Sequence, residues 1–326
     1  MLCIKRKNTN PYFNLAAEEY VLKNIEDDCF MLWRNEPCIV VGKHQNTLAE
    51  INIEYIKDNN IPVVRRLSGG GAVFHDLGNI NFTFIKKDEN ENLINFRKYT
   101  EPILEVLKSL NIEAKFEGRN DLTIDGKKFS GNAEHVWKNK VLHHGTLLFS
   151  SEINDLSSAL KVDPSKFTDK AVKSVRSRVT NISEHLHQPM HVMEFYDLII
   201  NYIVNTNEDV NLYEFTDDDI TKINQLVESK YNTWEWNFGY SPKYNFNKNI
   251  RTPAGNIEIN MEVSNGIIQE IKIYGDFFNK YDIEELENII RNLPHDLTSI
   301  KGKLVEINIE NYINNIQLDE FVDMLF

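Results

Sequence analysis

The segment best suited to chemistry runs from Arg65 to Asp76, with the sequence RRLSGGGAVFHD. Arg65 and Arg66 close an apolar run, and Ser68-Gly69-Gly70-Gly71 then removes four large side chains in succession. Backbone N–H groups in such a stretch can approach an anion closely, and Arg66 adds positive charge. No Gly-Lys-Ser/Thr follows, so this is not a Walker loop. Phe74 stands where a dinucleotide fingerprint needs its third glycine. A plain flexible turn is the alternative reading; the arginines before it and His75-Asp76 after it favour an anion site.

Three further segments carry reactive side chains. In GRNDLTIDGKKFSGNAE (118–134), Asp125-Gly126 is a turn pair between Leu122–Ile124 and Lys127–Phe129, which predicts a hairpin. Lys128 lies just before a Ser-Gly pair, where a lysine can reach into a site. Most lysines are solvated surface charges, and most aspartates like Asp121 are turn residues. Beside an anion site, however, such a carboxylate can hold Mg²⁺. In HHGTLLF (143–149), a strand would put His143 and His144 on opposite faces. Adjacent histidines suit packing or hydrogen bonding better than metal binding. Gly145 would admit a close backbone or ligand. In KSVRSRVTNI (173–182), Lys173, Arg176 and Arg178 are either a solvated basic face or clamps for phosphate or carboxylate.

The elements that must position these groups are readable from periodicity. Asn14–Asn24 has helical spacing, with Leu15, Val21 and Leu22 inward and Glu18 and Glu19 outward. Strands are predicted at 29–34, 38–42, 63–66 and 80–86, a helix over Tyr99–Leu110, and short strands at 112–117, 121–124 and 141–149. Residues 153–230 read as mostly helical, with Thr216 and Asp219 opening one helix. Periodicity breaks near Ser241–Ile250, at Pro242 and the NFNKN run, which predicts a boundary there. Beyond it come a hairpin (257–263 and 267–273), a helix from Ile283 to Leu293 with Asp282 as N-cap and Glu285 closing a capping box, and a last short helix. This C-terminal unit has a core of its own, so residues 1–245 are expected to fold without it.

The chain has 326 residues, 41% of them hydrophobic, and a net charge of −13. That excludes a disordered chain and argues against a general nucleic-acid binder. The basic excess of residues 65–178 suits an anionic small molecule. Cys3, Cys29 and Cys38 form no Cys-x-x-Cys pair, so neither a disulfide framework nor a zinc knuckle is expected. The start lacks the apolar run of a signal peptide, and no 18-residue uncharged apolar stretch occurs. The expectation is a cytoplasmic protein that touches neither membrane nor nucleic acid.

Taken together, these segments resemble lipoate–protein ligases. RRLSGGGAVFHD, GRND, KFSGNA, HHGTLL and SVRSRVTN appear in family order. NLAAEEY and WRNEPCIVVGKHQN precede them, and TPAGNIEINMEV with IKIYGDFF is similar to the family's C-terminal accessory domain. The resemblance implies an α/β (α+β) mixed-sheet catalytic domain of the biotin/lipoate protein ligase type over 1–245. A small α+β accessory domain would occupy 246–326. It implies that lipoate and MgATP give lipoyl-AMP and pyrophosphate. The lipoyl group then passes to a lysine of a lipoyl acceptor domain, such as an E2 subunit of a 2-oxoacid dehydrogenase complex or the glycine cleavage H protein.

Carried over by motif, Lys128 is the catalytic residue and touches both acyl carbonyl and α-phosphate. ATP would meet Arg66, Gly70, Gly71, Ala72, Val73, Phe74, Lys128, Arg176 and Arg178. Lipoate would meet Lys128, Ser68, His75, His144 and Gly145, with Trp33, Val73, Phe74 and Leu147 as candidates for its apolar slot. Asp121 is the candidate Mg²⁺ ligand. His135 stands where some relatives carry Arg. One rival is a cysteine-dependent octanoyl or lipoyl transferase on the same fold, and another is a non-catalytic lipoate or nucleotide carrier. A biotin ligase is disfavoured because its Gly-Arg-Gly-Arg-x-Gly run is absent.

Overall fold

The computed structural model describes residues 1–87, 95–160, 167–169, 178–207, 209–275, 277 and 279–326. In order the chain forms β1 (Leu2–Lys5), α1 (Pro11–Asn24), β2 (Cys29–Trp33), β3 (Cys38–Val41), α2 (Ile53–Asn59), β4 (Val63–Arg65), β5 (Val73–His75) and β6 (Asn79–Lys87). Next come α3 (Phe96–Ser109), β7 (Ala114–Glu117), β8 (Asp121–Ile124), β9 (Lys127–Trp137), β10 (Lys140–Leu148), α4 (Ile153–Ala159), β11 (Phe167–Asp169) and α5 (Val192–Thr206). The last elements are β12 (Asn211–Tyr213), α6 (Asp217–Leu226), β13 (Tyr244–Thr252), β14 (Gly255–Ser264), β15 (Ile267–Gly275), α7 (Ile283–Ile290), α8 (Leu297–Leu304) and α9 (Leu318–Asp323).

Contacts divide the chain into two units, and neither is continuous in sequence. The first holds residues 1–43, 56–160 and 174–233; the second holds 44–55, 161–173 and 234–326. In the first unit a mixed sheet has the order β12-β1-β2-β6-β10-β9-β8-β7. Strands β12, β1 and β2 are parallel, and from β2 onward every pairing is antiparallel. Strand β2 (CFMLW) is buried along its whole length, as an unbroken apolar run with both faces covered should be. On β6, Ile80, Phe82 and Phe84 enter a core with Ile103, Val106 and Phe195 from α3 and α5. This face is called the rear here. Alternation puts Asn79, Asn81 and Thr83 on the front, and these three are also buried. A second small sheet, β4-β3-β5, flanks the glycine segment.

The second unit is built on the antiparallel sheet β11-β13-β14-β15. Strand β14 alternates cleanly, with Ile257, Ile259, Met261 and Val263 buried. Its first piece is 44–55: Thr47 donates from its N–H to Ser241 Oγ (3.2 Å) and from its hydroxyl to Asn237 O (2.6 Å), and Leu48 and Ile51 are buried. Independent folding of residues 1–245 is therefore not supported. That cut falls inside β13, after its second residue, and leaves 44–55 without most of its unit.

Four local expectations are corrected. The NFNKN run is the middle of β13, where Tyr244 and Phe246 are buried between exposed asparagines. Residues 153–230 contain β11 and β12 as well as helices. Glu285 does not close a box on α7: Asp282 accepts from Glu284 N–H, and the Glu285 side chain bonds Tyr312. Glu18 and Glu19 are buried. Asp219 does close its box with Thr216 at the start of α6.

Candidate active site

The glycine segment joins β4 to β5 and is folded around Arg66. The guanidinium donates from Nε to Ser68 Oγ (3.1 Å), from Nη1 to Val40 O (3.1 Å), and from Nη2 to Gly69 O (2.7 Å) and Gly71 O (2.8 Å). Burial draws its pKa down to about 10, against the attraction of Glu18. Gly70 has φ +94°, and a Cβ on Gly42 would lie 2.1 Å from Gly70 O. The loop is thus clamped from both sides, with Gly69, Gly70 and Gly71 partly exposed.

From Ser68 a line of hydrogen bonds crosses the front of the sheet. Ser68 Oγ is 2.6 Å from His144 Nε2, and His144 Nδ1 is 3.0 Å from Glu18 Oε1. Thr83 Oγ1 donates to the same carboxylate (2.6 Å) and accepts from Trp33 Nε1 (3.0 Å). A carboxylate only accepts, so His144 carries its proton on Nδ1 and its Nε2 accepts from Ser68. Every hydrogen in this line then has an acceptor. Helical periodicity reads Glu18 as solvent-facing because it counts charge, not partners. The missed signal was a helix, PYFNLAAEEYVLKN, in which small apolar residues adjoin both glutamates. Glu19 accepts from Lys23 (2.6 Å), Lys230 (2.7 Å) and Tyr231 OH (2.6 Å). Burial opposes its ionisation, but these bonds win and lower its pKa.

His75 is buried beside Trp33, with ring centroids 6.4 Å apart. Its Nδ1 accepts from Asn35 Nδ2 (3.1 Å), and its Nε2 has no hydrogen-bond partner among the described residues. Burial, helped by Arg66, drives its pKa down to about 3. The ring is therefore neutral, with an unused Nε2–H donor.

Lys128 sits near the tip of the β8–β9 hairpin. Asp125 (φ 50°) and Gly126 (φ 70°) make its turn, which the Asp-Gly pair predicts. Leu122 pairs with Ser130 and Thr123 with Lys128, so Phe129 is an extra residue on β9; bulges of this kind re-aim side chains. The Lys128 backbone is held from the other side, its N–H donating to Arg178 O (2.8 Å) and its carbonyl accepting from Thr180 N–H (3.0 Å). Lys128 Nζ is 2.8 Å from Asp121 Oδ1, with side chains 27% and 31% exposed. The lysine lies over Gly131, where a Cβ would be 3.0 Å from its Nζ. Gly131 N–H bonds Thr146 Oγ1 (3.1 Å), on the same face of β10 as His144.

Arg66, Ser68 and His144 thus form one connected set, with His75 close by. Lys128 and Asp121 form a second set, reached across Gly131 and Thr146. Ala72 and Phe74 are buried and Val73 is half-buried. Arg178 is exposed; Lys173 and Arg176 lie outside the described residues. Two expectations need a physical correction. Gly145 makes room on the rear face, where a Cβ would meet Asn132 Oδ1 at 2.2 Å and the Phe82 ring at 2.6 Å. Leu147 likewise belongs to the rear core, so it does not line a front slot. Among the described residues, no group of three or more His, Cys, Asp and Glu side chains is set to hold a metal. Asp121 alone suits a Mg²⁺ whose other ligands are phosphates and water.

Comparison with known proteins agrees over the full length. Residues 10–204 match the lipoyl protein ligase A/B catalytic domain, and residues 241–325 match the bacterial lipoate protein ligase C-terminus. The chain is 44% identical to the lipoate-protein ligase LplJ of Bacillus subtilis, covering 100% of each. It is also 44% identical to lipoate–protein ligase 1 of Staphylococcus aureus, covering 97% of each. Among solved structures it is similar to LipL1 of P. falciparum in complex with lipoate, at 27% identity and TM-score 0.62, covering 99% of this chain and 97% of that one. The bipartite lipoate protein ligase of Thermoplasma acidophilum matches at 25% identity and TM-score 0.63, covering 73% of this chain and 96% of that one.

Proposed function

The chain belongs to the lipoate–protein ligase family, and from that premise we propose that it activates lipoate with MgATP to lipoyl-AMP and pyrophosphate, then passes the lipoyl group to a lysine of a lipoyl acceptor domain. The observation that carries this reading is Lys128, turned over Gly131 toward the face that also holds the Ser68–His144–Glu18 line.

In the first step a carboxylate approaches an α-phosphate, and both are negative. Lys128 supplies the cation between them; a fixed donor of this kind is worth roughly 3–4 kcal/mol. Asp121, the ion-pair partner of Lys128, would hold the Mg²⁺ of MgATP, and that ion would offset phosphate charge. The phosphates meet the N–H groups of Gly70 to Phe74. Since the Arg66 guanidinium already bonds Ser68, Gly69 and Gly71 of the loop and Val40 of β3, its role in this reading is to shape the loop and set its charge. In this reading Arg176 and Arg178 are clamps for phosphate or carboxylate, and the adenylate must be kept from water because a mixed anhydride hydrolyses. The lipoyl chain runs along Ser68, His144 and Trp33. Ser68 and His144 bond each other and Trp33 Nε1 donates to Thr83 Oγ1, so an apolar chain strands none of them. His75 Nε2–H is left as a donor for the ligand.

The acceptors in this proposal are E2 subunits of 2-oxoacid dehydrogenase complexes and the glycine cleavage H protein, and the location is the cytoplasm. Among the described residues, no helix is long and apolar enough to cross a membrane. A cysteine-dependent transferase would need an accessible thiolate. All three cysteines are buried, and burial pushes the thiol of Cys3 up to about 11 and that of Cys29 to about 12, with Cys38 raised as well. The test is mass spectrometry of an apo lipoyl domain incubated with the protein, lipoate, ATP and Mg²⁺. A gain of one lipoyl group that requires ATP is expected. Transfer from an acyl-thioester donor supplied in place of lipoate and ATP would favour the transferase, and no pyrophosphate release with lipoate present would leave a carrier.

A further inference from the structure

One polar cluster is buried on the rear of the sheet, where its surroundings are aromatic. His143 is fully buried and packs against Phe82, Phe96 and Tyr99, with ring centroids at 5.7, 5.7 and 5.0 Å. Its Nδ1 is 2.9 Å from Glu134 Oε1, and its Nε2 is 3.3 Å from Asn132 Oδ1.

The orientation of the Asn132 amide is fixed by its other partners. Nδ2 donates to Asn120 O (3.1 Å) and to Ser130 Oγ (3.2 Å), and a carbonyl can only accept. Oδ1 therefore faces the imidazole, Nε2–H donates to it, and one proton is shared between Nδ1 and Glu134. Asn120 returns a bond from Nδ2 to Asn132 O (2.5 Å), and Asn132 N–H donates to Asn120 O (3.0 Å). The next residue is Asp121, the partner of Lys128. The line Glu134–His143–Asn132–Asn120 thus ends one residue from the charged pair on the front.

Packing does not call for this arrangement. Among the described residues Glu134 Oε2 is buried with no hydrogen-bond partner, and the missing side chain at Gly145 leaves room for Asn132 Oδ1 and the Phe82 ring. Buried polar lines of this sort cost stability and fix one geometry in return. Resting on the reading of Lys128 as the catalytic lysine, we propose that His143, through Asn132, is a positioning residue. From behind the sheet it sets the β8–β9 hairpin so that Lys128 and Asp121 meet the reacting atoms.

The test is steady-state pyrophosphate release by full-length His143→Phe, which suits the aromatic surroundings and removes both hydrogen bonds. The expected result is a fall in kcat of about 10²-fold with KM for lipoate almost unchanged, because a small misplacement of a reacting group costs that much. Unchanged kcat would overturn the proposal, since phenylalanine preserves packing alone. In a double-mutant cycle with Asp121→Asn, the combined loss should be little more than the larger single loss; losses that multiply would overturn a shared route. If His143→Phe does not fold, Asn132→Leu takes its place, with the same kcat criterion. Lys128→Ala is run in parallel. Full activity there would reject the catalytic lysine itself, whereas loss there with normal kcat in His143→Phe rejects only the positioning role.

Discussion

At the scale of single residues, buried charge is partnered both locally, as Arg66 is by Ser68, Gly69 and Gly71, and across the chain, as Glu18 is by Thr83 and His144. Lys128→Ala is expected to lower pyrophosphate release by about 10²–10³-fold while leaving the melting temperature close to that of the parent; near-normal release from folded protein would reject the assignment. Replacing Cys3, Cys29 and Cys38 together by Ala is expected to leave ligation per folded molecule unaffected, measured by mass spectrometry of the acceptor. Their buried, raised thiols have no part in an adenylate route. Lys128, Ser68 and His144 were legible because each sits in a short motif. Glu18 was not. Periodicity assigns a charged residue to the solvent side, and only the fold reveals that His144 and Thr83, far along the chain, satisfy its carboxylate.

At the scale of elements, caps, loops and strand pairing set the geometry. Gly42→Ala would drive a Cβ into Gly70 O, so the glycine loop must shift. The expected outcome is a rise in KM for ATP well above any change in KM for the acceptor domain. Asp219 at the start of α6 accepts from Tyr20 OH (2.6 Å), Tyr213 OH (2.5 Å) and Thr216 N–H (2.8 Å). Burial works against its ionisation, but these bonds prevail and hold its pKa at about 2, below the ordinary 3.8. A depressed carboxyl stabilises the fold above its unfolded pKa and stops doing so as pH falls through the folded one. Asp219→Asn should therefore cost about 1–3 kcal/mol at neutral pH. It should also flatten the loss of stability between the ordinary pKa of 3.8 and about 2. A urea titration series across that range checks both. Strands and hairpins with strong alternation were legible. Strand β13 was missed because asparagine reads as a loop former, although Tyr244, Phe246 and Ile250 keep the two-residue period through the NFNKN run.

At the scale of the whole molecule, the division into two units was legible in outline, but the path of the chain between them was not. Nothing local in 44–55 says that Thr47 bonds Ser241 and Asn237. A chain ending at residue 233 is expected to bind a dye for exposed apolar surface and to aggregate, because Leu48 and Ile51 lose their cover; a monomeric fragment with normal cooperative unfolding would count against this. The interleaving also bears on synthesis. A ribosome releases residues 44–55 long before residues 234–326, with roughly 180 residues in between, and at ~5–20 residues per second that is a wait on the order of 10–40 s. Through that interval the first piece of the second unit hangs as a loop from an already folding first unit. The nascent chain is therefore exposed to chaperones and proteases at a point that the finished protein hides.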